Sequence, residues 1–135
     1  MKTVKPYLTF RGDCQQALDF YQKCFGGDII NRETYEGKDI DIPGSYRDKL
    51  QHAELKGKGI HIMAYDAAPD TPLQHGNTVQ LGVDLENKEE VTELFNKLAA
   101  EGQSLANPQE TSWNAYYARV RDKYGINWML NADLN

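Results

Sequence analysis

The chain has no apolar run approaching the roughly 18 residues that a membrane-spanning helix needs. Its first residues, Met1 to Phe10, hold neither the apolar core nor the small-residue cleavage site of a secretory signal. Positive charge is scarce: 15 Lys and Arg stand against 20 Asp and Glu, a formal net charge of −5, with no basic run longer than two. That balance excludes recruitment of nucleic acid by bulk electrostatics and mainly favours solubility. Only two cysteines occur, Cys14 and Cys24, ten residues apart in one helical pattern. Such a separation spans about 15 Å of helix, beyond disulfide reach. Two reduced thiols and no export signal predict a cytoplasmic protein, and Cys24, on the apolar stripe with Leu18 and Tyr21, is expected to be buried filler. No C-x-x-C pair or other zinc-ligand spacing is present. Nor does a glycine-rich nucleotide loop follow any strand pattern.

What is present suits one ordinary domain of 135 residues, 40% of them hydrophobic. Residues 6–10 are rich in β-formers and predict a strand. Gly12-Asp13 breaks it, with Asp13 as the expected helix cap. Ala17, Leu18, Tyr21, Cys24 and Phe25 recur at helical spacing over 14–25, and Gly26-Gly27 closes the helix. Ile29 to Tyr35 is a strand pattern. Residues 36–49 predict a long mobile loop. Strands over 51–56 and 60–66 flank the hairpin turn Gly57-Lys58-Gly59. Residues 67–77 are an aperiodic linker. Alternation of Val79, Leu81, Val83 and Leu85 predicts a strand, 89–100 a helix, 103–107 a weak strand, and 116–121 with 126–131 a final hairpin.

The order strand, helix, strand, strand, strand therefore occurs twice, and the copies align residue by residue. His52-Ala53-Glu54-Leu55-Lys56 matches Tyr117-Ala118-Arg119-Val120-Arg121. Gly59-Ile60-His61-Ile62-Met63 matches Gly125-Ile126-Asn127-Trp128-Met129. The reading is an α+β fold of two tandem βαβββ modules, about 1–67 and 77–135, in a single domain over 1–135. Alternation assigns Leu55, Ile62, Val120 and Trp128 to the helix side. The opposite face carries His52, Glu54, Lys56, His61, Met63 and Tyr65, then Tyr117, Arg119, Arg121, Asn127, Met129 and Asn131. In a curved mixed sheet that face would line a cleft.

Several stretches are similar to a known superfamily. Asp13-x-x-x-Ala17-Leu18-Asp19-Phe20-Tyr21, followed by Phe25-Gly26-Gly27, resembles the first helix of the glyoxalase/bleomycin-resistance (vicinal oxygen chelate) proteins. Asp122-Lys123-Tyr124-Gly125 resembles their closing hairpin. Pro6-Tyr7-Leu8-Thr9-Phe10, Ile62-Met63-Ala64-Tyr65-Asp66-Ala67 and Glu110-Thr111-Ser112-Trp113 resemble the PhnB-like branch, which sometimes carries a demethylubiquinone methyltransferase label. The resemblance implies the glyoxalase fold and a homodimer. In metal-dependent members the four ligand positions map onto Pro6, Met63, Thr78 and Met129. Proline has no side-chain donor, threonine is a poor ligand, and thioethers suit Cu(I) rather than Zn, Ni, Mg or Fe(II). No metal and no other cofactor is therefore expected.

The function expected is binding of a small, anionic organic ligand in the cleft. The ligand-binding candidates are His52, Glu54, His61, Met63, Tyr65, Trp113, Tyr117, Arg119, Met129 and Asn131. His52 is the one candidate general base should the protein be an enzyme. His52, Glu54 and His61 could instead chelate a metal from paired strands, or be an ordinary solvated face. Arg119 suits a carboxylate or phosphate, and its bland alternative is pairing with Glu54 or other local acids. Trp113 either closes a pocket or packs in a core. Asp122 is a turn residue. A metal-dependent lyase, isomerase or dioxygenase is the first rival. A drug-sequestering protein of the bleomycin-binding kind is the second, and Glu54, the only acid on the hairpin face, argues against cationic drugs.

Overall fold

A computed structural model describes residues 1–38 and 41–134. The chain forms two compact units, Met1–Leu73 and Gln74–Asn135. The first unit contains β1 (Tyr7–Phe10), α1 (Cys14–Phe25), β2 (Asp28–Thr34), a short 3-10 turn (Gly44–Tyr46), β3 (Leu50–Gly57) and β4 (Ile60–Asp66). Its sheet has the order β1-β4-β3-β2, with β1 parallel to β4 and the other pairs antiparallel. The second contains β5 (Leu81–Leu85), α2 (Lys88–Ala99), β6 (Gln103–Glu110), β7 (Ala115–Arg121) and β8 (Asn127–Asp133). Its sheet order, β5-β8-β7-β6, repeats the first, again with one parallel pair. The βαβββ repeat and the α+β class are thus present in the structure.

Each helix covers one face of its own sheet. In the first unit Ala17, Leu18 and Tyr21 of α1 are buried with Ala53, Leu55, Ile62 and Ala64. In the second, Val91, Leu94, Phe95 and Leu98 of α2 are buried with Ala118, Val120, Trp128 and Leu130. Each is a 3.6-period stripe meeting a period-2 face. The register is the predicted one: Leu55 pairs with Ile62 and Val120 with Trp128 on the helix side. Glu54 pairs with Met63 and Arg119 with Met129 on the opposite side. Gly27 is required where α1 turns into β2. Its φ is 89°, and a Cβ there would stand 2.9 Å from the Lys56 carbonyl oxygen.

The helix starts differ between the repeats. Asn87 caps α2 by accepting the Glu90 N–H at 2.9 Å. Asp13 does not cap α1 with its side chain. The Cys14 N–H instead donates to Asp66 Oδ1 at 3.0 Å, from the end of β4. Cys14 is the fully buried cysteine, and Cys24 is only half-buried on the helix flank. Burial also pushes the Cys14 thiol well above its ordinary range, with Asp66 and Asp13 adding to it.

The segment expected as a mobile loop is tied to its own unit. Tyr46 is buried and its hydroxyl donates to the Ala67 carbonyl. The Tyr35 N–H donates to the Lys49 carbonyl at 3.0 Å. Residues 39 and 40 of that loop lie outside the described residues. The strand predicted from Val79 begins only at Leu81, and Val79 is exposed. Just before it, the Gly76 carbonyl accepts from Asn127 Nδ2 (2.9 Å) and an Arg121 guanidinium nitrogen (3.3 Å), so side chains hold this stretch in place of a ladder. The weak strand at 103–107 extends to Glu110. It runs through Pro108 at a register shift on the edge of its sheet, where a missing N–H is tolerated. Among the described residues no helix is long and apolar enough to cross a membrane.

Candidate functional site

The face of the first sheet away from α1 gathers a carboxylate and two imidazoles. Glu54 Oε2 lies 3.0 Å from His52 Nε2, and Glu54 Oε1 lies 2.5 Å from His61 Nε2. The sequence places them so because residues 52 and 54 alternate on β3, while His61 stands on β4 beside Lys56. A third donor comes from an irregularity in β2. Between Ile30 and Glu33 the ladder shifts, and Asn31 takes a left-handed φ of 53°. This bulge aims Asn31 Nδ2 at Glu54 Oε2, 3.0 Å away. Hydrogen bonds from His52, His61 and Asn31, in that order, hold the Glu54 carboxyl down to about 2.

An ionised carboxylate only accepts, so each Nε2 must carry the hydrogen. In a neutral ring the Nδ1 of His52 is then the acceptor. The Tyr7 hydroxyl approaches it at 3.4 Å from β1. Tyr7 is parallel-paired with Met63, which fixes it on this face, and its ring lies 5.0 Å from that of Tyr65. Partial burial, then Tyr65 and Cys14, raise the Tyr7 phenol above its ordinary value, so it keeps its proton. Tyr7, His52, Glu54 and His61 thus form one chain of side-chain contacts across three strands.

The equivalent face of the second sheet is different in kind. Arg121 donates from Nε to Asn127 Oδ1 at 2.9 Å, and Asn127 is buried rather than lining an open face. Arg119, two residues earlier on the same face, is half-buried; among the described residues it has no hydrogen bond or ion pair. Beside it stands Tyr117, whose ring is 5.6 Å from that of Trp113. Trp113 is 63% exposed and so is not core. Asn131 pairs across from Tyr117, and its Nδ2 lies 3.4 Å from Asp133 Oδ1.

Glu54 accepts from three neighbours of its own unit. It is also less alone as an acid than the hairpins suggest. Through the ladders, Glu33 stands opposite His52, Asp28 opposite Lys56, and Asp84 opposite Asn131.

The matching family model is 3-demethylubiquinone-9 3-methyltransferase, over residues 2–131. The chain belongs to that family. Within the vicinal oxygen chelate superfamily this is the PhnB-like branch. Protein YjdN of Escherichia coli K12 is 29% identical over 95% of this chain and 93% of its own length. The crystal structure of protein PA1353 from Pseudomonas aeruginosa superposes with a TM-score of 0.84 at 28% identity, covering both chains fully. A glyoxalase/bleomycin resistance protein/dioxygenase family enzyme from Burkholderia phytofirmans shares the fold at TM-score 0.65 and 21% identity, over 95% of this chain and 97% of that one.

The superfamily's metal positions do not fit a hard or borderline cation in this member. Met63 and Met129 offer thioethers. Pro6 has no donor beyond its carbonyl, which already accepts the Met63 N–H at 3.0 Å. Among the described residues, no group of three or more His, Cys, Asp or Glu is placed to hold a metal ion. His52 and His61 are each bonded to Glu54.

Sequence reasoning missed Tyr7, Asn31 and Asp66. Alternation gives Tyr7 a face only once the parallel β1–β4 register is known. Asn31 depends on a bulge, and asparagine, which tolerates left-handed φ, was its only signal.

Proposed function

We propose that this protein binds a small organic anion, and that Arg119 is the group that takes its charge. The observation carrying this reading is the half-buried guanidinium without a partner among the described residues, next to the Tyr117 ring. Charges held away from bulk water are ordinarily paired, and a planar fork matches carboxylate or phosphate bidentately. The neighbouring Arg121 is already bonded to Asn127 and Gly76 and is not equivalent. A ligand that binds only the native state raises the melting temperature by mass action. Screening simple carboxylates and phosphates by thermal shift should give hits with wild type. Arg119→Ala should abolish them at unchanged fold, and Arg119→Lys should restore only part. If the alanine variant responds as wild type does, the reading fails.

The methyltransferase activity in the family's name finds no nucleotide-binding loop to support it. The strand-to-helix turns are Arg11-Gly12-Asp13 and Glu86-Asn87, and neither is a glycine-rich phosphate loop. A second reading, acid–base chemistry at His52, is favoured by one feature: in a neutral ring, Nε2–H bonded to Glu54 makes Nδ1, which the exposed Tyr7 hydroxyl approaches at 3.4 Å, the proton acceptor. Long-range nitrogen–proton NMR should show His52 as the Nε2–H tautomer, and Glu54→Gln should lose that preference. An Nδ1–H tautomer in wild type counts against His52 as a base.

A further inference from the structure

We propose that the ligand of Arg119 is a planar aromatic anion, a flat ring carrying a carboxylate or phosphate, with Trp113 as the residue that selects the ring. The inference rests on the anion reading above and names the chemistry of the rest of the molecule.

Trp113 is an exposed indole on a stiff support. The tight connection between β6 and β7 is closed twice: Thr111 N–H donates to the Ala115 carbonyl at 2.9 Å, and Ala115 N–H donates to Thr111 Oγ1 at 3.2 Å. Asn114, in the left-handed region at φ 62°, offers its carbonyl to the Leu134 N–H at 3.0 Å, pinning the turn to the chain beyond β8. The backbone that carries the indole is thus fixed, while the indole itself is 63% exposed. Its inner neighbour is the Tyr117 ring, inclined at 55° to the indole. The two rings form an angled wall, not a stack closed on itself, so an aromatic face of Trp113 remains open to a third ring.

Arg119 is the next residue along the face of β7 that carries Tyr117. Tyr117 and Arg119 are two residues apart on one face of β7, about 6.8 Å along the strand. A ring against the aromatic pair thus places a carboxylate or phosphate toward the guanidinium. Met129, opposite Arg119, supplies a polarizable side chain beside the same spot. Gly82, on the other side of Met129, adds no side chain to crowd it. An aliphatic anion would satisfy Arg119 but leave the indole in water. The aromatic pair therefore favours an aromatic body over an aliphatic one of similar size.

The test uses the whole protein with benzoate, phenyl phosphate, acetate and cyclohexanecarboxylate as probes. The readouts are thermal shift and the two indole N–H resonances, with buried Trp128 as the internal control. Benzoate or phenyl phosphate should bind about three- to tenfold more tightly than cyclohexanecarboxylate and acetate, the range aromatic pairing supplies. They should shift the Trp113 resonance and leave Trp128 in place. Trp113→Leu should erase the aromatic preference while acetate still acts through Arg119. Equal binding of benzoate and cyclohexanecarboxylate, or an unchanged preference in Trp113→Leu, overturns the aromatic assignment and leaves the anion site standing. No response of wild type to any of the four probes overturns both.

Discussion

Glu54 is an acid whose four lone-pair directions are largely spoken for. Three side chains donate to it, and its own side chain is 12% exposed. The consequence is a definite pH dependence. In the unfolded chain such a carboxyl takes up its proton near about pH 4.3; in the native protein it holds out to about 2. Its stabilisation is therefore complete above about pH 5 and is lost as pH falls through the native value. The amount is on the order of 2–3 kcal/mol, set by the size of the shift and its partial solvent access. Glu54→Gln should be less stable than wild type at neutral pH, and the gap should narrow by that order between about pH 5 and 2. Urea unfolding across that range measures it. A constant gap would mean that Glu54 contributes packing rather than charge. Arg119 is the opposite case, a half-buried charge with no hydrogen bond or ion pair among the described residues.

At the scale of elements, two buried carboxylates do the joining. Asp66, 1% exposed at the end of β4, accepts the N–H groups of Gly12 (2.8 Å), Cys14 (3.0 Å) and Leu50 (2.9 Å). One side chain thus fastens the β1–α1 turn, the first turn of α1 and the start of β3. Tyr35 and Tyr46 hold the backbone just beyond it, through the carbonyls of Asp66 and Ala67. Burial, then Asp66 and Tyr35, push the Tyr46 phenol up to about 12, which keeps that donor protonated. In the second unit Asp122 accepts from Tyr124 N–H (2.8 Å) and Ile126 N–H (3.2 Å), and from Trp128 Nε1 at 2.7 Å. Asp66→Ala would strand three donors at once, and should cost on the order of 3–5 kcal/mol. Asp66→Asn, which keeps one acceptor, should cost roughly half as much. Both should lower the urea midpoint with little change in slope. A loss under about 1 kcal/mol for the alanine variant would show that water replaces the carboxylate. Asp122 was legible as a turn residue because its turn is local. Asp66 was not, because its partners lie 16 to 54 residues away and periodicity carries no long-range information. The same limit explains the wrong cap at Asp13, where sequence offers a neighbour and the fold offers a residue from across the sheet.

For the whole molecule, the repeat was the most legible feature, since it needs only the order of elements and two matched hairpins. It also carried the register, because a one-residue slip would have put Met63 and Met129 under the helices. The acids of β2 and β5 were less legible. Their place on the polar faces depends on which strands are neighbours, and alternation within a single strand cannot supply that. The duplicated plan explains how stability is distributed. Each unit has one helix covering one four-stranded sheet, and each closes its turns with a carboxylate bonded to backbone N–H groups. Apolar burial and these intramolecular bonds hold both cores among the described residues, and the expectation that follows is a fold that keeps its stability without a cation. Purified protein treated with a strong chelator and dialysed should keep its melting temperature within about 1 °C, where 1 kcal/mol of lost stability in a chain of this size would move it by roughly 2–8 °C. Restoring Zn, Ni, Mn or Mg one at a time should add nothing specific. A fall of several degrees on chelation, reversed by one of these ions alone, would locate a structural metal and would send attention back to His52, Glu54 and His61, the only close trio of His and carboxylate groups among the described hydrogen bonds.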